Sequence, residues 1–198
     1  QGAKVIHPRA VEIAMQKNIP LRVKCTFTDA PGTLVTNIQP DMSIGSDSIG
    51  DRIITGIAYT PNLTQISINI QDEENKSQAV KKIFKGMALA DISVDFISVQ
   101  PESVLYTVRD ELADKAMNIL RNMGFEPEAL SSCAKVALVG GGIADVPGVM
   151  ANMVEALAES GVEILQSADS HTTIWVLVKK EQMVTAVKSL HQKFQLGK

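Results

Sequence analysis

The chain has 198 residues, 45% of them hydrophobic and 21% charged, with a formal net charge of −3 at pH 7. That length allows two small domains, while the slight acidity and an aromatic content of only 4% argue against a nucleic-acid partner. With no signal peptide, no apolar run of spanning length and no lipidation motif, no membrane attachment is expected, and the chain reads as soluble and cytoplasmic.

In chain order, Pro8 suits the first turn of a helix running to about Lys17, with Asn18 as its terminator and Pro20 beyond it. Leu21 to Phe27 alternates as a strand, Asp29 to Gly32 is a turn, and Asn37 to Arg52, with its Ser, Gly and Asp content, reads as a loop or linker. Residues 1–50 are too few for a core of their own. Because the sequence begins at Gln1 rather than Met, they are expected to complete a domain whose bulk precedes residue 1. Cys25 and Cys133 are far apart, and His7, His171 and His191 lack ligand spacing, so neither a disulfide framework nor a metal site is expected.

Ile53 to Tyr59 is a strand without a partner nearby. After it come strand Gln65 to Ile70, helix Ser77 to Ala90, strands Ile92 to Val99 and Ser103 to Arg109, helix Glu111 to Met123 and a candidate strand Glu126 to Ser131. The strands alternate and are β-branched, whereas Val80, Ile83, Phe84 and Met87 recur at helical spacing. The pattern then begins again: strand Lys135 to Val139, a helix opened by Pro147 and Gly148, two strand-like runs separated by Ser167 to His171, and a last helix from about Glu181 to Gln195. Setting Val162, Ile164, Ile174, Val176 and Val178 beside Ile92, Val94, Val104, Tyr106 and Val108 gives one offset throughout, 162 − 92 = 70. It also pairs Val136 and Leu138 with Ile66 and Ile68, and Ala186 and Leu190 with Ala116 and Leu120, so one supersecondary unit occurs twice.

The second copy ends on its last helix and lacks a final strand, which leaves an unpaired sheet edge. Ile53 to Tyr59 would fill it. The expected fold is therefore α+β: two ferredoxin-like βαββαβ units with helices backing the sheets, the first (61–131) inserted into the second (51–60 plus 132–198). Residues 1–50 are then the end of another domain and a linker. Open sheets of this kind commonly pair edge to edge, so a homodimer is expected. Trp175, Tyr106 and the methionines are read as core or interface.

Several blocks now resemble one family in order. Gly2-Ala3-Lys4-Val5-Ile6-His7-Pro8-Arg9-Ala10-Val11-Glu12, Ile19-Pro20-Leu21-Arg22-Val23 and Pro31-Gly32-Thr33-Leu34 resemble the end of the catalytic domain of aspartokinases. Ile53-Ile54-Thr55-Gly56-Ile57-Ala58 resembles the strand leading into that family's paired ACT domains, and Val139 to Gly148 and Leu190-His191-Gln192-Lys193-Phe194 resemble the second ACT unit. Gln166 to Val178, with Ser170-His171-Thr172-Thr173-Ile174-Trp175, is similar to isozymes from Gram-positive bacilli. The resemblance spans essentially the whole chain and implies the carboxy-terminal regulatory region of an aspartate kinase, the first step of lysine, threonine and methionine biosynthesis. It implies allosteric feedback inhibition by an end-product amino acid, lysine or diaminopimelate before threonine. Partners would be the catalytic domain of the same chain or a full-length subunit. An alternative is a free-standing regulatory subunit that mainly dimerises with the full-length kinase.

No counterpart of the family's ATP and aspartate sites is present, so no catalytic residue is assigned, and ATP and Mg belong to the missing catalytic domain. Gly140-Gly141-Gly142 is the one possible phosphate cradle, but Asp145 stands where a dinucleotide fingerprint needs a third glycine, and a tight strand-to-helix turn explains the run. Effector recognition needs helix-start amides for a carboxylate and an acid or carbonyls for an ammonium. Ser93-Val94-Asp95 matches the run of lysine-sensitive members, in place of Glu163 and Leu165 in the second copy. Asp95 is expected to hold the effector's amino group, supported by Ser93 and the backbone of Val94, with Asn75, Ser77, Gln78, Ala79 and Val80 forming the facing loop and helix start. The plainer reading leaves Asp95 in solvent or paired with Lys81 or Lys82. Ser77 and Gln78 replace the Pro-Gly of many members, which makes close backbone approach less assured, and Val99 replaces a Gln of the threonine-site pattern. In the second copy Ile143, Asp145, Val146, Pro147 and Gly148, with the turn Ser167 to Thr172, are a possible ligand or interface region. For His171 the plain alternative is a structural hairpin.

Overall fold

A computed structural model describes residues 5–36, 54–141, 143 and 146–197. The chain divides into two compact units, Gln1–Arg52 and Ile53–Lys198.

In the first unit, helix α1 (Pro8–Gln16) opens with proline at its first turn, where a missing N–H is harmless, and the His7 side chain accepts from Arg9 N at 3.3 Å. Asn18 ends it in the left-handed region, φ 51°, and Ile19 N bonds back to Ala14 O at 2.8 Å. Strand β1 (Leu21–Val23) pairs antiparallel with β2 (Thr33–Val35). The strand stops at Val23 rather than Phe27 because β2 offers only three partners, and Phe27 is left 94% exposed. The expected linker from Asn37 to Arg52 lies outside the described residues.

The second unit is built on β3 (Gly56–Asn69), followed by α2 (Lys76–Leu89), β4 (Asp95–Val99), β5 (Ser103–Arg109), α3 (Asp110–Asn122) and β6 (Pro127–Val139). Then come α4 (Val149–Glu159), β7 (Gln166–Ser170), β8 (Thr173–Lys179), a short 3-10 turn (Lys180–Gln182) and α5 (Met183–Lys193). The sheet order is β4-β5-β3-β6-β8-β7. The expected partner strand and the first strand of the inner repeat are thus one continuous element, and the two expected sheets are one. The amino-terminal part of β3 pairs with the carboxy-terminal part of β6, Gly56 opposite Val139, and completes the outer repeat. The rest of β3 pairs with β5 and with the start of β6, Ile68 opposite Pro127, and builds the inner one. The insertion read from the sequence is therefore present.

Each long strand carries one extra residue. The β3–β6 register slips between Thr60 and Leu63 and again between Leu63 and Gln65, and Asn62 (φ 61°) and Ser132 (φ 56°) adopt left-handed backbone there. The two are 132 − 62 = 70 residues apart, the repeat offset. Ile57 and Ile66 lie an odd number of residues apart, which in a regular strand puts them on opposite faces. The bulge restores them to one face, so both pairs of helices cover the same side of the sheet. One core gathers Val136, Leu138, Met153, Leu157, Val176 and Leu190 under α4 and α5, and the other Ile66, Ile68, Ile83, Met87, Val104 and Leu120 under α2 and α3. A third cluster, Leu63, Phe96, Cys133 and Leu177, lies on the far face where the repeats meet.

Helices end one or two residues from their expected limits. Ile92, Ser93 and Val94 precede β4 rather than belonging to it, and Ser167 to Ser170 form strand rather than turn, leaving only His171 and Thr172 between β7 and β8.

Two outcomes follow. A chain of 53–198 and one of 61–198 differ by the outer repeat's fourth strand and the burial of Ile54 and Ala58. Urea titration should find the shorter chain less stable by about 2–4 kcal/mol, the burial of two or three apolar side chains. The Tyr106 hydroxyl is fully buried and has no hydrogen-bond partner among the described residues. Tyr106→Phe removes that unpaired group and should raise stability by about 1 kcal/mol in the same titration.

Candidate functional site

Asp95 opens β4 opposite Thr107, whose hydroxyl donates to the Asp95 carbonyl at 3.0 Å. The pairing slips between Asp95 and Ser98, and Phe96 sits at φ 55°. The Asp95 Oδ1 atom accepts from Phe96 N at 2.8 Å, a local bond that holds this unusual backbone. The bulge turns the Phe96 ring to the far face, into the cluster with Leu63, Cys133 and Leu177, so consecutive residues share one side of the sheet.

Lys81 and Lys82, the partners of the plainer reading, do not reach Asp95; Lys82 donates to Met123 O at 2.6 Å instead. The ion pair is made by Lys135 from β6, whose Nζ donates to Asp95 Oδ2. The lysine side chain is 15% exposed and the carboxylate 62%. The same ammonium stands 6.0 Å from the Phe96 ring centre and 5.8 Å from that of Trp175 on β8, within cation–π reach of both. Beside it, Gln65 Nε2 donates to Gln166 Oε1 at 2.8 Å and Gln166 Nε2 to Phe96 O at 2.6 Å. These contacts fasten the edge strand of each repeat to the other repeat. Cys133 lies in the same region with no exposure, and burial pushes its thiol pKa up, which makes it a packing residue rather than a nucleophile.

The other expected residues lie elsewhere. Asn75 caps α2, its side chain accepting from Gln78 N at 3.1 Å; Ser77 and Gln78 are exposed, Ala79 is buried, and Val80 packs on the core. Ser93 is exposed and Val94 packs on the same core. Asp95 is level with Gln65 through Thr107, and Asn75 lies beyond Ile70, so about 16 Å of strand separates them at about 3.3 Å per residue. One chain does not bring its Asp95 and its helix start to a single small amino acid.

In the outer repeat α4 starts at Val149, whose counterpart is Ala79 (149 − 70 = 79), whereas α2 starts three residues earlier, at Lys76. Gly148 caps α4 at φ 90°, a backbone that favours glycine, with no side-chain hydrogen bond. The later start leaves a cleft of about 280 Å³ between Val146, Gly148 and Met150 and the β7 residues Ser167, Ala168 and Asp169. Ile143 is fully buried beneath it, Pro147 is exposed, and Asp145 lies outside the described residues. Ile174 of β8 completes the lining of the cleft. Among the described residues no group of three potential metal ligands occurs, and no helix is long and apolar enough to cross a membrane.

Two interlocked βαββαβ repeats, one inserted in the other, define a regulatory region of the ACT class, and a family model for the ACT domain matches residues 128–192. Aspartokinase 1 of Bacillus subtilis is 48% identical over all 198 residues, which cover 48% of that protein. The regulatory subunit of aspartate kinase from Thermus thermophilus, solved ligand-free, is 31% identical with a TM-score of 0.65, covering 72% of this chain and 99% of that one. Aspartokinase III of E. coli, solved with lysine and aspartate, shares the fold at 22% identity and a TM-score of 0.74, over 98% of this chain and 43% of that one. The chain belongs to the aspartokinase family and corresponds to its regulatory region. It spans about half the length of the curated relatives it matches.

The glutamine relay supplies a test. Gln65 is 8% exposed, and Gln166→Ala leaves its amide and the Phe96 carbonyl without their partner. Thermal or urea unfolding should show a loss of about 1–3 kcal/mol, the cost of unsatisfied buried polar groups.

Proposed function

We propose that this chain is the part of an aspartate kinase that senses an end product of the aspartate pathway, with the phosphorylation of aspartate by ATP and Mg carried out by a catalytic domain outside it. Lysine or diaminopimelate is the favoured effector, ahead of threonine. The observation that carries this reading is the surrounding of Asp95: a carboxylate 62% exposed to solvent, flanked by two aromatic rings, where a primary ammonium group already sits. Both favoured effectors carry a side-chain ammonium that fits such a place, and threonine does not.

The amides of Ser77 to Ala79 then hold the effector's carboxylate from a second copy. Strand β4 is an edge of the sheet and exposes Ile97 and Val99, 49% and 53% accessible, so it can pair with the same strand of a partner. Antiparallel pairing sets the Asp95 end of one strand against the Val99 end of the other, beside the partner's helix start. The free-standing regulatory subunit remains a second reading, favoured by the near-complete coverage of the separately solved Thermus subunit. Mixing with full-length kinase separates the two, since a free-standing subunit forms a stable complex with it.

Calorimetry with lysine, diaminopimelate and threonine tests the effector. Asp95→Asn keeps the shape and removes the charge, so affinity for the diamino acids should fall about 10- to 100-fold, the worth of a charge-assisted hydrogen bond. Glu163, an exposed residue paired with Lys179 at 3.3 Å, should tolerate Glu163→Gln with little change. In the full kinase, inhibition should weaken while the uninhibited rate holds. Unchanged affinity in Asp95→Asn, or a larger loss at Glu163, places the site outside the inner repeat.

A further inference from the structure

The contacts between the repeats are related by the same offset of 70, and the relation exposes a difference. Lys135 corresponds to Gln65 (135 − 65 = 70), Leu165 to Asp95, Gln166 to Phe96, and Trp175 to Leu105. On one side of this pseudo-symmetric crossing the central strand offers an amide to another amide, Gln65 to Gln166. On the other it offers an ammonium to a carboxylate and two aromatic rings. Only one of two equivalent positions has the chemistry of an ammonium receptor, and the protein's own side chain fills it.

We infer that Asp95, Phe96 and Trp175 form a cage for a primary ammonium group, that Lys135 is its tethered occupant, and that an ammonium-bearing effector enters by displacing it. This rests on the effector reading of Asp95 given above. The lysine side chain is largely buried, whereas the carboxylate keeps an open side toward solvent. The pair is half open, its carboxylate 62% exposed, and screening on that side leaves it within reach of an incoming cation. A tethered group competes as though present at millimolar concentration, and it sets the threshold that a free ligand has to exceed. Because Lys135 belongs to the outer repeat and Asp95 and Phe96 to the inner one, exchange releases one of the contacts that fasten the two repeats.

Two arms test this on the 198-residue chain. In the first, Lys135→Ala empties the cage. Propylammonium should then raise the melting temperature of the variant, with no rise for the parent or for Lys135→Ala combined with Asp95→Asn; absence of rescue overturns the cage whether or not any effector is known. Should the alanine variant not fold, Lys135→Met keeps the stem without the ammonium and serves in both arms. In the second arm lysine and diaminopimelate are titrated while following Trp175, the sole tryptophan, whose emission reports the ammonium beside its ring. Displacement predicts an emission change in the Lys135 variant, where the effector's ammonium fills an empty cage, with about tenfold tighter binding than in the parent, where one ammonium replaces another and the emission holds; tenfold corresponds to a cage free about a tenth of the time. Binding that depends on Asp95 but leaves Trp175 silent in the Lys135 variant, or is no tighter without Lys135, overturns displacement and leaves the effector reading standing. Rescue by propylammonium together with effector binding indifferent to Asp95→Asn overturns the effector reading and displacement while the cage holds.

Discussion

The ladder between β3 and β6 governs the rest of the second unit. Both strands run through both repeats, so neither half can shift register without moving the other, and each of α2 to α5 is placed by a strand that answers to two cores. A strand of this length exposes the limit of simple alternation. A single slip of parity would turn one core to solvent, and the paired bulges at Asn62 and Ser132 correct it. Asparagine tolerates the left-handed region through its short polar side chain. The same crossing brings the far faces of the two repeats together, which gives Lys135 and Gln166 their partners.

The duplication, the insertion and the origin of the missing strand were legible in the sequence because they depend on period and offset alone. Continuity was not. Pro61 and Asn62 have the composition of a break, since proline removes a ladder donor, yet at a bulge that donor has no partner to lose. The Ser and Asp of Ser167 to Ser170 read as a turn, but pairing with Thr173 to Val176 overrides local preference.

For the site, sequence singled out Asp95 but not its counter-ion, which lies forty residues away on another strand and reaches it only through the crossing. The signal was present in the repeat: applying the offset to positions 65, 95, 96 and 105 shows that a lysine and a tryptophan have replaced a glutamine and a leucine. Composition alone weighs Lys81 and Lys82 first because they are near in sequence. Likewise the replacement of Pro-Gly by Ser77 and Gln78 was visible, but not that α2 thereby begins three residues earlier and that the cleft beside Asp169 stands in the outer repeat.

The shared ladder also imposes an order on synthesis. Gly56 pairs with Val139, which leaves the ribosome 139 − 56 = 83 residues later. Through that interval the inner repeat, whose strands and helices are complete by Leu130, can close on itself, while the segment Gly56–Thr60 waits with an unsatisfied edge. The inner repeat therefore serves as the platform on which the outer one is assembled, and the proline and the left-handed asparagine between the two parts of β3 mark the boundary between what folds early and what is held in reserve.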